Sequence, residues 1–119
     1  MNLLKDNKYT LSYIYLLLSI LGAIFPWISN YNFILEYGSS FDISQFIQLA
    51  NANPAAESIS RDLLIGASAI FIWIVNESKK LNIKNMWIVY LGTVLIAFAF
   101  SAPFFLFLRE RRIIEINAR

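Results

Sequence analysis

Three long apolar segments constrain the fold of this chain more than any other feature of its sequence. They lie within residues 9–28, 54–80 and 86–108, and twenty helical residues reach about 30 Å, the thickness of a bilayer's hydrocarbon core. The chain has 119 residues, of which 58% are hydrophobic and 15% are charged. A soluble domain this small could not hide so much apolar surface, because its surface-to-volume ratio is too high. We therefore expect an integral membrane protein.

The predicted fold is all-α, with three transmembrane helices and a short amphipathic helix in the first loop. The whole chain, residues 1–119, is expected to form one membrane domain, since it has no internal repeat or low-complexity linker. The predicted transmembrane helices cover about residues 9–28, 54–80 and 86–112, and the amphipathic helix covers about residues 42–50.

Capping residues set the starts of two of these helices. Asn53 is a suitable N-cap, Pro54 fits the first helical position and Glu57 lies in the first turn. Asp42 is the expected N-cap of the amphipathic helix, with apolar residues at helical spacing after it. Pro103 lacks a backbone N–H and is expected to kink the third helix near its end.

The charges give no clear orientation in the membrane. Three spans would place the termini on opposite sides, with five lysines on the amino-terminal side and five arginines on the other. The lysine-flanked first helix and the acidic first loop favour a cytoplasmic amino terminus. The net charge of +2 is too small to indicate a nucleic-acid partner.

The chain contains neither histidine nor cysteine. It therefore lacks the commonest metal ligand, the usual general base near neutral pH and any thiolate chemistry. We expect no cofactor and no metal, and any acid–base role must fall to Asp, Glu, Lys or Tyr.

The second apolar segment carries a carboxylate near each end, Asp62 and Glu77. At 100° per residue these carboxylates share one stripe of the helix with small and polar residues. We expect this stripe to face partner helices, as lipid-averse faces do in membranes. The other members of the stripe are Ser58, Gly66, Ala69, Trp73 and Asn76.

Two interpretations of the carboxylates remain open. Both can lie at the membrane–water interfaces. Glu57 would then pair with Arg61 at i, i+4, and Glu77 with Lys80 or Lys84. Alternatively, an ionisable group at membrane depth marks a functional site, where a protonated carboxyl group donates a proton. Asp62 and Glu77 lie about 22 Å apart along the axis and cannot act as a carboxylate dyad.

Small residues on the other helices predict close helix packing. Thr93, Ala97 and Ser101 recur at i, i+4, i+8, and Ser19 and Ala23 share the same step. The basic tail after residue 108 can bind anionic headgroups. The alternative is that its charges pair within the helix, for example Arg111 with Glu115.

Several short motifs, in this order, resemble a small bacterial membrane family. They are LGAIFPW, NPAA followed by DLL, WIVNESKKL and SAPFFLFLRER, and together they extend over roughly residues 11–112. The family is catalogued as domain of unknown function two-eight-three-four and is grouped by name with integral-membrane terpene cyclases.

The resemblance implies a mechanism in which a carboxylic acid protonates an alkene or epoxide and aromatic faces stabilise the cation. On this sequence it makes Asp62 and Glu77 the candidate acids, and Trp73 and Asn76 the candidate substrate-binding residues. The implied ligand is an isoprenoid lipid. The chain has no DDxxD pattern for Mg²⁺-assisted ionisation.

A non-catalytic accessory or assembly subunit of a larger membrane complex is the alternative to a cyclase. In that case the stripe of the second helix docks a partner, or a second copy of the chain. A proton pathway is disfavoured, because no ionisable residue lies between Asp62 and Glu77.

Overall fold

The computed structural model describes residues 3–38 and 42–118, with side chains from residue 9 onward. Those residues form five α-helices and no strand. The helices are α1 (Leu3–Tyr37), α2 (Ile43–Ala50), α3 (Pro54–Leu81), α4 (Met86–Leu95) and α5 (Phe98–Asn117). The all-helical class is confirmed.

The two helix starts that depend on capping residues are confirmed. Asn53 accepts a hydrogen bond from the backbone N–H of Ala56, and Pro54 occupies the first turn of α3. Asp42 accepts from the backbone N–H of Gln45 at the start of α2. Both caps satisfy N–H groups that have no partner within the helix.

The first helix is longer than predicted. Residues 9–28 form the middle of α1, which continues through Pro26 to Tyr37. The extra turns bring Phe33 against Phe46 of α2, with their rings 5.3 Å apart and nearly perpendicular. This contact fixes the far end of α1, which the sequence indicated only as a polar loop.

The prediction of one continuous third helix over 86–112 is wrong, because the helix is interrupted at Ile96 and Ala97. Ala97 is fully extended, and the N–H groups of both residues donate to the carbonyl of Gly92 at 2.9 Å. Pro103, the expected kink, lies within α5. The run therefore forms two helices instead of one.

α4 and α5 fold back on each other as a helical hairpin. Thr93 Oγ1 lies 2.8 Å from Ser101 Oγ across the turn. Further from the turn, Val89 and Phe105 are fully buried in one cluster with Ile74 of α3. The prediction that Thr93 and Ser101 mark close packing is confirmed, although the two residues are on different helices.

α5 is the central element, since α1, α3 and α4 all pack against it. Gly22 makes the closest approach: a Cβ atom at this position would overlap the backbone carbonyl of Ala99. That carbonyl lacks its usual helical donor, because Pro103 is the residue four positions on and has no N–H. Ser12 and Ser19 on the same side of α1 are buried and donate to carbonyls of their own helix.

Two helices are long and apolar enough to cross a membrane, Tyr9–Tyr37 and Pro54–Leu81. Most of their apolar side chains are exposed; in the most apolar 18-residue window of α3 only 6% of residues are buried. α4 is apolar but has only ten residues. Three transmembrane helices are therefore not confirmed.

The hairpin places both ends of the described chain at the same end of the molecule. The Arg111 guanidinium lies 5.8 Å from the ring of Tyr9, and Arg112 Nε donates to the carbonyl of Leu81 at 2.7 Å. The start of α1, the loop after α3 and the end of α5 thus come together. We call this region the basic end.

Most cations of the described part of the chain belong to the basic end. The side chains of Lys5, Lys8 and Arg119 lie outside the described part of the chain, but both lysines belong to the first turns of α1. Arg61 is the exception, at the opposite end beside Glu57. The described cations of the basic end are Lys79, Lys80, Lys84, Arg109, Arg111 and Arg112.

Candidate functional site

The clearest polar site among the described residues is an ion pair between α3 and α5. Arg109 donates its Nε–H to Oε2 of Glu77 at 2.9 Å. The side chains are 16% exposed for Glu77 and 27% for Arg109, so the pair is shielded from most solvent. A charge-assisted bond in such a setting is shorter and stronger than a neutral one.

Aromatic rings hold Arg109 in place. Its guanidinium lies 5.5 Å from the ring centroid of Trp73, within the range of a cation–π contact. The Trp73 ring in turn packs edge-on against Phe105, with centroids 5.5 Å apart and an interplanar angle of 87°. The cation that Trp73 contacts in the structure is therefore the protein's own arginine.

Asp62 lies far from this pair, as its position along the helix predicted, but its side chain is exposed, which was not expected of the polar stripe. Asn76 precedes Glu77 and is also exposed, and its side chain forms no hydrogen bond with the described residues. Of the four residues singled out from the sequence, the structure brings Trp73 and Glu77 into one cluster and leaves Asp62 and Asn76 outside it. Their proposed roles as acids and substrate ligands stay predictions.

The polar stripe of α3 was expected to face partner helices, and within the described chain it does so at Trp73 and Glu77, which contact α5, but not in its amino-terminal part. Ile74 is 1% exposed and Ser78 is 5% exposed, whereas Asp62 and Ala69 are exposed. A Cβ atom on Gly66 would meet nothing within 4 Å. The hairpin is short and packs mainly on the carboxyl-terminal half of α3. There Ile74 is buried in one cluster with Phe105 and Val89.

Sequence reasoning missed Arg109 as the partner of Glu77. We expected Lys80 or Lys84 instead, because a third span would have carried Arg109 to the opposite side. Glu57 does pair with Arg61, as predicted. In the tail, Arg112 contacts Glu115 at 2.6 Å. The signal for the missed pair was present only in the basic tail after residue 108, whose charges we expected to bind headgroups or to pair within their own helix.

The main grooves formed by the described residues are open, and these are not lined by Asp62 or Glu77. An apolar groove of about 360 Å³ between α3 and the hairpin turn is lined by residues including Leu64, Phe71 and Phe98, but neither Asp62 nor Glu77. Two further grooves flank Arg111 at the basic end. Among the described residues, no group of three or more carboxylates could hold a metal ion.

The fold and the ion pair together define an all-helical protein with two helices able to span a bilayer and a polar cluster at one end. Residues 14–111 match the family model described as "Protein of unknown function DUF2834". The chain belongs to this family, which confirms the resemblance drawn from its motifs. No curated protein and no solved structure matches the chain. The family description names no activity, so the comparisons give the terpene-cyclase grouping no support.

Proposed function

We propose that this protein is a non-catalytic membrane subunit with two transmembrane helices, α1 and α3, and a hairpin, α4–α5, that enters and leaves the bilayer on one side. The exposed apolar surfaces of α1 and α3 support the two spans, since lipid would cover them. Ten residues of α4 rise about 15 Å, half of a hydrocarbon core of ~30 Å. The hairpin therefore reaches only to mid-depth.

The charges support a cytoplasmic basic end. With the hairpin in place, the cations of the described residues no longer divide equally, because Arg61 alone among them lies at the opposite end. Loops rich in lysine and arginine stay on the cytoplasmic side. Both the start of α1 and the end of α5 would then face the cytoplasm.

Single-cysteine labelling tests this topology, because the natural sequence has no cysteine to remove. We would introduce Asn51→Cys, Asn82→Cys and Asn117→Cys separately and treat intact cells with a membrane-impermeant maleimide. Asn82→Cys and Asn117→Cys should label only after lysis, and Asn51→Cys in intact cells. A three-span protein would instead label Asn117→Cys together with Asn51→Cys, which would contradict the proposal.

The exposure of Asp62 is the observation that carries the subunit role. If Lys79 and Lys80 mark one face of the bilayer, twenty residues of helix place the other boundary near residue 60. Asp62 then lies just inside the hydrocarbon, and Gly66 and Ala69 continue its face deeper. A carboxylate facing lipid is unfavourable, whereas a small-residue face below it allows close approach of another helix. We infer that a helix of another membrane protein, or of a second copy, covers this face.

Complex size in mild detergent tests the association. Wild-type protein should migrate above the monomer, and Asp62→Asn or Gly66→Leu should reduce the associated fraction several-fold. Glu57→Gln is the matched control, since it removes the same charge five residues away on another face of α3. A wild-type protein that is monomeric at all concentrations and has no co-purifying partner would refute the subunit role.

An isoprenoid-cyclising function is the second candidate, and the contact of Trp73 with a cation is the observation that favours it. It requires a free acid beside that ring, whereas Glu77 is paired with Arg109. We therefore rank it below the subunit role. Glu77→Gln would have to change the extractable isoprenoid profile without changing complex size for the cyclase to displace the subunit.

A further inference from the structure

We propose that a groove at the basic end binds the phosphate of an anionic phospholipid through Arg111 and Lys84. The groove lies between the 82–85 loop and the last turns of α5. The inference rests on the proposed membrane insertion, which would place this groove at headgroup level.

Of the three described tail arginines, Arg111 is the one that the protein leaves open to a ligand. Arg109 pairs with Glu77, and Arg112 binds the Leu81 carbonyl and Glu115. Arg111 is exposed and forms no ion pair with any acidic side chain in the described ranges. Its guanidinium instead lies 5.8 Å from the Tyr9 ring and 5.9 Å from the Phe107 ring. These rings hold the cation in position while its donors remain accessible.

The loop beside Arg111 adds further donors. Asn82 and Asn85 adopt positive φ angles of 53° and 65°, which fold the loop tightly between α3 and α4. Lys84 lies between them and is exposed. Asn85 is the N-cap of α4 but makes no side-chain capping bond. The Asn85 side chain lines the groove and is therefore available to donate to a ligand there.

The surroundings suit a lipid better than a soluble anion. Trp87 follows the loop by two residues and is 61% exposed, and the Tyr9 ring lies against Arg111. Both ring types favour the headgroup layer. Apolar Ile83 and Leu108 line the groove and could contact the start of an acyl chain. Glu115 is the acid in the groove, and Arg112 offsets its charge.

Native mass spectrometry of the full chain in mild detergent tests the site. We would titrate the protein with dioleoylphosphatidylglycerol, with dioleoylphosphatidylcholine and with inorganic phosphate. Each basic residue at a membrane surface contributes about fivefold, so phosphatidylglycerol should bind roughly 25-fold more tightly than phosphatidylcholine. Arg111→Gln with Lys84→Gln should abolish most of that preference. Lys79→Gln with Lys80→Gln is the matched control, because it removes the same charge outside the groove.

The outcomes separate this site from the membrane topology. Equal binding of the two lipids by wild-type protein, or equal losses in the two double variants, would overturn the site even if the labelling pattern holds. Inorganic phosphate binding with the same dependence on Arg111 would overturn the assignment to a lipid. If cysteine labelling fails instead, the topology is at fault and the lipid preference can still be measured.

Discussion

Arg109 reaches Glu77 across 32 positions of sequence and binds it at 2.9 Å. The contact joins the last part of α3 to the middle of α5 and is possible only because the chain turns back at Ile96 and Ala97. The Trp73 ring of α3 also contacts the Arg109 guanidinium, so α3 holds this arginine of the hairpin through two side chains. The bond therefore ties the hairpin to a helix that is long enough to span the membrane.

Breaking this pair should destabilise the protein in detergent. Glu77→Gln and Arg109→Gln should each lower the free energy of unfolding by about 1–3 kcal/mol, the usual range for a hydrogen bond to a charged group. The double variant should lose less than the sum of the two, because neither charge is then left without its partner. Unfolding in sodium dodecyl sulfate titrations measures all four proteins. Strict additivity would show that the two residues do not interact.

Alanine at two glycines should have opposite effects. Gly22→Ala forces α1 away from the Ala99 carbonyl and should cost roughly 1–3 kcal/mol of unfolding free energy, as overpacking does. Gly66→Ala has open space around it and should raise the stability of the monomer by about 0.5–1 kcal/mol through helix propensity. Thermal unfolding of the two variants provides the comparison. A similar loss for both would mean that α1 does not approach α5 as described.

Two isoleucines of α3 form another matched pair. Ile74 is 1% exposed and Ile65 is 72% exposed. Ile74→Ala should cost about 2–5 kcal/mol, because it leaves a cavity beside Phe105 and Val89, whereas Ile65→Ala should change the stability of the monomer little. The same detergent titration measures both. A larger loss at Ile65 would indicate that the packed face of α3 is assigned to the wrong side.

The hydrogen bond between the Thr93 and Ser101 hydroxyls at the hairpin turn should contribute less to stability than the burial of Ile74. Thr93→Val removes one partner and leaves the fully buried Ser101 hydroxyl with a weaker bond at 3.4 Å to Phe98. We expect a loss of about 1 kcal/mol, near the upper values for hydrogen bonds between membrane helices. Adding Ser101→Ala should recover part of it, because no buried hydroxyl then remains unpaired. Hydrogen exchange of amides 92–101 would show faster opening in Thr93→Val alone.

Local signals in the sequence predicted the helix starts well. Asn53, Pro54 and Asp42 each act through neighbouring backbone groups, so no tertiary information was needed to place them. Small residues such as Ser19 and Ser101 also indicated packing correctly. These features depend on spacing of a few residues.

The hairpin could not be predicted in the same way. Ile96 and Ala97 carry no turn signal, and the apolar run from Met86 to Leu108 has the length of a single span. One break reversed the direction of the tail, which brought Arg109 to Glu77 and Trp73 and left the amino-terminal part of the polar stripe of α3 exposed. The candidate site was therefore half predicted: Glu77 and Trp73 were identified, but their partner depended on the topology.

The hairpin also gives the molecule a larger cross-section at the basic end than at the opposite end. In the proposed insertion, α1, α3, α4 and α5 occupy the half of the bilayer nearest the basic end. In the other half, on the side of α2, α1 and α3 continue alone. Lipids in the two leaflets then surround cross-sections of different area. A wedge of this kind favours membrane that bends, so the short length of α4 gives the chain a shape preference that its transmembrane helices alone would not have.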